Sequence, residues 1–126
     1  MDAPQPYERF FAWRLTHDLA LFAYRLTENF PRREWYGLAS QLRKASFSTP
    51  ANIVEGSCKR GRAEFRRHLD IGWGSLGEAG YGFRFARDLG FVSPNDYVDY
   101  NTRWIEASKA TWALYASVAG LGRRSG

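Results

Sequence analysis

Cysteine is almost missing from this chain. Cys58 stands alone among 126 residues, which excludes an internal disulfide framework and leaves no cysteine-based metal pattern. Histidine is nearly as scarce, with only His17 and His68. A carboxylate-bridged di-iron bundle needs a Glu three residues ahead of a His on two helices, and no Glu here has a His at that distance. Neither a metal nor another cofactor is therefore expected. Long apolar runs are also lacking: none approaches the roughly 20 residues that span a bilayer, so no membrane partner is expected. The opening MDAPQPYERFF starts acidic and holds no signal-peptide core, which makes the cytoplasm the expected location.

Groups that do covalent chemistry are equally thin. Ser46, Ser48, Ser57 and Ser75 have no Gly-x-Ser-x-Gly setting and no evident base. The glycine-rich stretch GWGSLGEAGYG lies inside a helical pattern, not the strand–loop–helix context of a phosphate loop. Cys58 is flanked by Lys59 and Arg60, but no histidine or second cysteine is near it in sequence. It reads as an incidental loop thiol. Glu64 and His68, four apart, read as a surface pair on one helix. The absences together argue against an enzyme, with no catalytic residues.

What the chain has in quantity is aromatic and basic side chains. Five Trp, seven Tyr and nine Phe exclude a disordered chain, and 126 residues suffice for one domain, 1–126, with a real core. The formal net charge is +5, and fifteen of the eighteen basic residues are Arg. Arginine's forked donors suit phosphate or carboxylate, so the charge permits a polyanionic partner.

Apolar spacing predicts four helices. The first spans Glu8 to Thr27, after a Pro4–Pro6 leader that is not helical, and its stripe is Phe11, Leu15, Leu19, Phe22 and Leu26. Phe30–Gly56 reads as one long second helix that begins after Pro31, with Glu34 in its first turn, Pro50 inside it and Gly56 as its stop. Its inward positions are Leu38, Leu42, Ala45, Thr49 and Ile53. Gly61 and Glu64 form a weak capping box for the third helix, whose stripe runs Phe65, Leu69, Gly72, Leu76, Ala79, Phe83 and Ala86 before Gly90 ends it. Ser93-Pro94-Asn95-Asp96 starts the fourth, with Tyr97, Trp104, Thr111, Tyr115 and Val118 inward. Short connections between four amphipathic helices make an all-α, antiparallel up-down-up-down four-helix bundle, with 1–7 and 121–126 expected to fray.

Two features exceed the needs of such a bundle. Gly72, Gly74, Gly77, Gly80 and Gly82 crowd the third helix, where each costs about 1 kcal/mol against alanine, so close helix–helix approach is expected within the bundle or between subunits. Trp13, Trp35, Tyr36, Trp73, Tyr81, Trp104 and Trp112 are too many large rings for the interior, and the surplus points to self-association. A proline inside a helix costs roughly 3 kcal/mol, and the polar residues near it ask for an account. Asn52, Glu55, Ser75 and Glu78 read as structural polar groups, with Asn52 and Glu55 buried where they satisfy backbone freed by Pro50. Glu55 and Glu78 fall at different heights, which argues against an acid/base dyad.

The candidate binding site is the loop Ser57–Arg62 and the turns after it. Lys59, Arg60, Arg62, Arg66 and Arg67 place five positive charges in nine residues, and Arg43 and Lys44 add two on the second helix. Phosphate contacts need only such point charges. Glu64 and Asp70 are interspersed, as on an ordinary solvated face.

Phe30-Pro31, Glu34, Gly37-Leu38, Gln41-Leu42-Arg43-Lys44-Ala45, Ser48, Pro50 through Gly56, and Gly74-Ser75-Leu76 with Glu78 together resemble the four-helix-bundle proteins encoded in intervening sequences of bacterial 23S rRNA genes. Trp13 in the first helix fits as well. The family is similar in fold to the accessory protein of diversity-generating retroelements, a pentameric barrel that works with a reverse transcriptase and nucleic acid. The resemblance implies a homopentamer with a basic surface suited to RNA, DNA or a partner protein, and no catalytic residues. This chain departs from the pattern at Gly61, where a hydroxyl cap is expected, and at helix-three glycines that replace alanine-like positions. Two functions follow: a nucleic-acid-binding oligomer, or a protein-binding scaffold.

Overall fold

In the computed structural model, which describes residues 3–121, the helices are α1 (Phe11–Thr27), α2 (Leu38–Ser57), α3 (Arg62–Asp88) and α4 (Pro94–Ala119), with 3-10 helices at Pro6–Arg9 and Arg32–Glu34. Residues 1–2 of the leader and 122–126 of the tail lie outside the described residues. Each α-helix packs on its two neighbours in cyclic order. Side chains meet antiparallel at every contact: Arg43 with Thr27, His68 with Asn52, Trp104 with Leu76, and Arg103 with Phe22. The expected antiparallel bundle is the architecture.

The helix ends carry most of the differences from expectation. Pro6 does enter a helix, because it takes the opening position of a 3-10 turn, where its missing N–H costs nothing. Tyr7 in that turn meets Trp13 edge-on at 4.9 Å, and Phe10 is extended at φ −83° and ψ 122°, so α1 proper starts at Phe11 rather than Glu8. Its stripe is rotated at that end: Phe11 is 63% exposed, while Ala12 and Thr16 are buried. The long second helix is shorter than its pattern. Pro31 leads into the 3-10 turn Arg32–Glu34, and Gly37, at φ −110° and ψ −109°, is not helical. Glu34 thus lies outside α2, yet its Oε1 accepts from Leu38 N–H at 3.3 Å. It caps the helix from four residues upstream.

The inner stripe of α2 is as read, except that Leu38 is only half-buried; that of α3 is also as read, except that Phe65 is half-buried. On α4 the deepest positions are Tyr100, Ala107 and Thr111; the expected Tyr97, Trp104, Tyr115 and Val118 flank them half-buried. Ser93 Oγ accepts from Asp96 N–H at 3.1 Å, the cap the sequence specifies. Gly90, at φ 82°, ends α3 in a Schellman motif, with Phe91 N–H to Ala86 O and Gly90 N–H to Arg87 O both at 2.9 Å. Phe91 then joins Phe30, Phe83 and Tyr100 in the main core, the Phe83 and Tyr100 rings 4.2 Å apart.

The glycines divide by what surrounds them. A Cβ on Gly72 would meet Asn52 Cβ and Thr49 O at 3.3 Å; on Gly82 it would strike the Leu42 side chain; on Gly80 it would strike the Trp104 indole. These three allow close approach inside the bundle. Gly74 and Gly77 face open space. Gly56 is not the stop of α2, which continues to Ser57. It is buried because a Cβ there would lie 2.8 Å from His68 Cβ and 2.9 Å from the Phe65 ring.

Gly56→Ala should therefore lower stability by about 1–2 kcal/mol, since overpacking outweighs the gain in helix propensity. Gly77→Ala should raise it by up to about 1 kcal/mol. Urea midpoints moving in the same direction for both variants would refute this division. The Tyr100 hydroxyl is buried without a hydrogen-bond partner, and burial pushes its phenol far above the ordinary range. Tyr100→Phe should hold or raise the melting temperature, because it removes an unsatisfied polar atom.

Candidate nucleic-acid interface

The end of α2 and the start of α3 build a cationic tip on the bundle. Ser57 Oγ donates to Val54 O at 2.7 Å and Cys58 N–H turns back on Val54 and Glu55, closing the helix at Ser57. Lys59 and Arg60 follow in an exposed turn. Gly61 then adopts φ 83°, a conformation L side chains resist, and starts α3 without a side-chain cap. The expected Gly61/Glu64 box is not made, because glycine offers no side-chain oxygen; Glu64 Oε1 instead accepts from Arg67 Nη2 at 3.4 Å. The first-turn amides of α3, its positive pole, therefore open among Lys59, Arg60 and Arg62.

The α3 arginines lean in two directions. Arg62 Nη2 donates to Ser117 O at 3.4 Å, and Arg66 Nε donates to Tyr115 Oη at 3.2 Å with its guanidinium over that ring. Both reach towards α4. Arg67 stays on its own helix, contacting Glu64 and His68. All five tip residues are exposed and share one end of the molecule. Arg43 and Lys44 do not join them: Arg43 lies fourteen residues before the end of α2, roughly 20 Å along the axis at 1.5 Å per residue. Arg43 is half-buried, its Nε donating to Thr27 Oγ1 at 2.8 Å and its guanidinium over Tyr24.

Behind the tip, a polar ladder ties α2 to α3. Ser48 and Ser75 hydroxyls meet at 2.8 Å; Asn52 Nδ2 donates to Ser48 O at 2.8 Å and Ser48 Oγ at 3.1 Å. With its Nδ2 so engaged, the Asn52 amide presents Oδ1 to His68 Nδ1 at 3.0 Å. Nδ1 must then donate, leaving Nε2 to accept from Arg67 at 3.4 Å. His68 is buried, not the surface partner of Glu64 that the four-residue spacing indicates. Glu55 is exposed rather than buried with Asn52, and reaches His68 only at 3.7 Å. Glu78, also exposed, accepts from Gln41 Nε2 at 3.2 Å. Glu55 and Glu78 are thus at different heights, as read. None of these side chains turns to the Ser46 carbonyl that Pro50 frees; Thr49 Oγ1 donates to Gly72 O instead.

Pro50 faces the other side, into an apolar groove of about 690 Å³ between α1 and α2, walled by Trp13, Leu21, Tyr24, Phe47 and Val54. His17, stacked on Trp13 at 4.8 Å, and Cys58 stand in its lining. Among the described residues, no three His, Cys, Asp or Glu side chains converge as a metal ion requires, and no helix is long and apolar enough to cross a membrane.

Trp112 and Tyr115, the aromatic neighbours of the tip, are not singled out as site residues by sequence reasoning. Helices α3 and α4 are antiparallel, so positions equidistant from the Gly90–Ser93 turn face each other. Counting from that turn sets Tyr115 opposite residue 68 and Trp112 opposite residue 71, within two residues of Arg66 and Trp73. The signal is present, but it needs the pairing of two helices rather than the spacing within one.

The model of the 23S rRNA-intervening sequence protein family matches residues 8–113, and the chain belongs to that family. No curated protein matches the chain.

His68→Ala should cost about 1–3 kcal/mol, because it strands the buried Asn52 Oδ1. Glu55→Gln should fall within about 0.5 kcal/mol, since its carboxylate is solvated. Equal shifts of the urea midpoint for the two variants would overturn the ladder as the tie between α2 and α3.

Proposed function

We propose that this family member is a non-enzymatic, self-associating bundle that binds nucleic acid through its cationic tip. The observation that carries the reading is the gathering of Lys59, Arg60, Arg62, Arg66 and Arg67, all exposed, around the uncapped start of α3. Phosphate needs donors and positive charge without a fixed partner geometry, and the tip supplies both. The resemblance to a pentameric accessory protein that works with nucleic acid supports self-association. In a ring of copies the tip repeats, so weak contacts add by avidity. The α1/α2 groove is the concave apolar surface that a second copy would fill.

A second reading, a protein-binding scaffold without nucleic acid, draws on the same groove, since a contiguous apolar surface of this kind marks a protein contact.

Affinity for RNA and DNA fragments should fall linearly on log–log axes with salt, by ~0.7–0.9 per phosphate contacted. Charge reversal at Lys59 and Arg60 should reduce both affinity and slope, with the particle size by light scattering unchanged. No retention on a polyanion at low ionic strength refutes the nucleic-acid reading. Partner binding that survives reversal of Arg60, Arg62, Arg66 and Arg67 establishes the scaffold. Val54→Asp, in the groove, should reduce the particle to one chain.

A further inference from the structure

The α3/α4 face next to the tip carries a continuous aromatic array. Trp73 and Trp112 are 40% and 48% exposed, with ring centres 5.8 Å apart. Trp112 stacks on Tyr115 at 5.4 Å and 27°, and Tyr115 carries the Arg66 guanidinium 5.8 Å above its ring. Arg62, Arg66, Trp73 and Gly77 step along α3 by four, seven and four, so they share one helical face. Beyond Trp73 the array ends in a cleft of about 240 Å³ between Trp73 and Trp104, over Leu76 and Gly77. The Trp104 indole is fixed there by its N–H bond to Leu76 O at 2.8 Å. Gly77 leaves the floor clear, having nothing within 4 Å of where a Cβ would stand. Ser108 Oγ, in the lining, is buried with no hydrogen-bond partner.

From this arrangement we infer that the α3/α4 face is a stacking platform for unpaired nucleobases, so that the nucleic acid bound is single-stranded. The inference rests on the nucleic-acid reading above and adds the class of ligand. Duplexes hide the faces of their bases and show phosphate, which the tip alone would suffice to hold. A single strand offers both, and binding grooves for it combine cations along the backbone with aromatic side chains under the bases. Here the phosphates run along Lys59, Arg60, Arg62 and Arg66, while bases lie on Trp112 and Trp73. The cleft takes the last ring against Trp104. Asp70 lies four residues from Arg66 and three from Trp73 on the same face, and it opposes the strand.

The test compares a short oligouridylate with a duplex of equal length, followed by tryptophan fluorescence and by polarisation of a labelled strand at fixed low salt. The single strand should quench tryptophan emission and bind more tightly than the duplex. Trp112→Leu, which keeps an apolar side chain but removes the ring, should weaken the single strand by roughly tenfold or more and leave duplex binding and the salt slope alone. Asp70→Asn should tighten the single strand. Equal affinity for the two ligands, with Trp112→Leu silent, overturns the platform while leaving the nucleic-acid reading intact. Binding of neither ligand overturns both. A change in particle size on Trp112→Leu assigns the face to a subunit contact and also overturns the platform.

Discussion

Close approach of α2 and α3, made where Gly56, Gly72 and Gly82 carry no side chain, sets the positions of everything else that matters. With the helices this close, Asn52 and His68 meet at 3.0 Å and the Ser48 and Ser75 hydroxyls at 2.8 Å. Longer side chains would separate those groups and leave buried polar atoms unpaired, which is the costlier state. Glycine's weak helix propensity and the polar ladder therefore answer each other: the first permits the approach and the second fixes its register. The register in turn sets the angle at which the chain turns through Lys59 and Arg60 into α3.

This explains which parts of the molecule were legible from sequence. The α3 stripe and the Ser93-Pro94 cap were readable because each depends on neighbours within one or two turns. The start of α2 was not. Pro31 with an acid three residues on is read as a helix start, and only Gly37 and the reach of Glu34 to Leu38 show where the helix begins. Gly56 misled for a related reason. A glycine near the end of a pattern looks like a stop, whereas its role here is set by His68 and Phe65, on another helix. His68 itself was hidden in the same way, its four-residue spacing from Glu64 being weaker information than the Asn52 amide across the interface.

The arginine surplus follows the same logic. Read as bulk charge it points to a polyanion, but several arginines are already engaged by the bundle's own side chains. Arg43 bonds Thr27 and covers Tyr24, Arg103 pairs with Asp99 and covers Phe22, and Arg87 bonds Asp88 and covers Tyr97. A guanidinium that lies over a ring while bonding to a neighbouring oxygen is a packing element as much as a charge. What distinguishes the tip is that Lys59 and Arg60 lie on a turn at the very end of the bundle, where neighbouring helices offer least cover. Composition alone could not make that separation.

The unlike faces of the bundle constrain how copies can meet. The α1/α2 side is a concave apolar groove, and the α3/α4 side is a row of rings beside arginines. The two are different surfaces on opposite sides of a cyclic four-helix arrangement. A two-fold contact would pair the groove with itself, concave against concave, and leave much of it unfilled. A heterologous contact seats some other convex surface of the next copy in the groove, and repeated through a closing rotation it gives a ring. Under the proposed self-association, the α3/α4 rings stay outside that contact only if the inserted surface is drawn from elsewhere. That arrangement would turn every stacking face outward and repeat it, with its cationic tip, once per subunit. A strand crossing from one subunit to the next would then meet the same order of phosphate and base contacts each time, which gives a repeated single-strand site without base-specific readout.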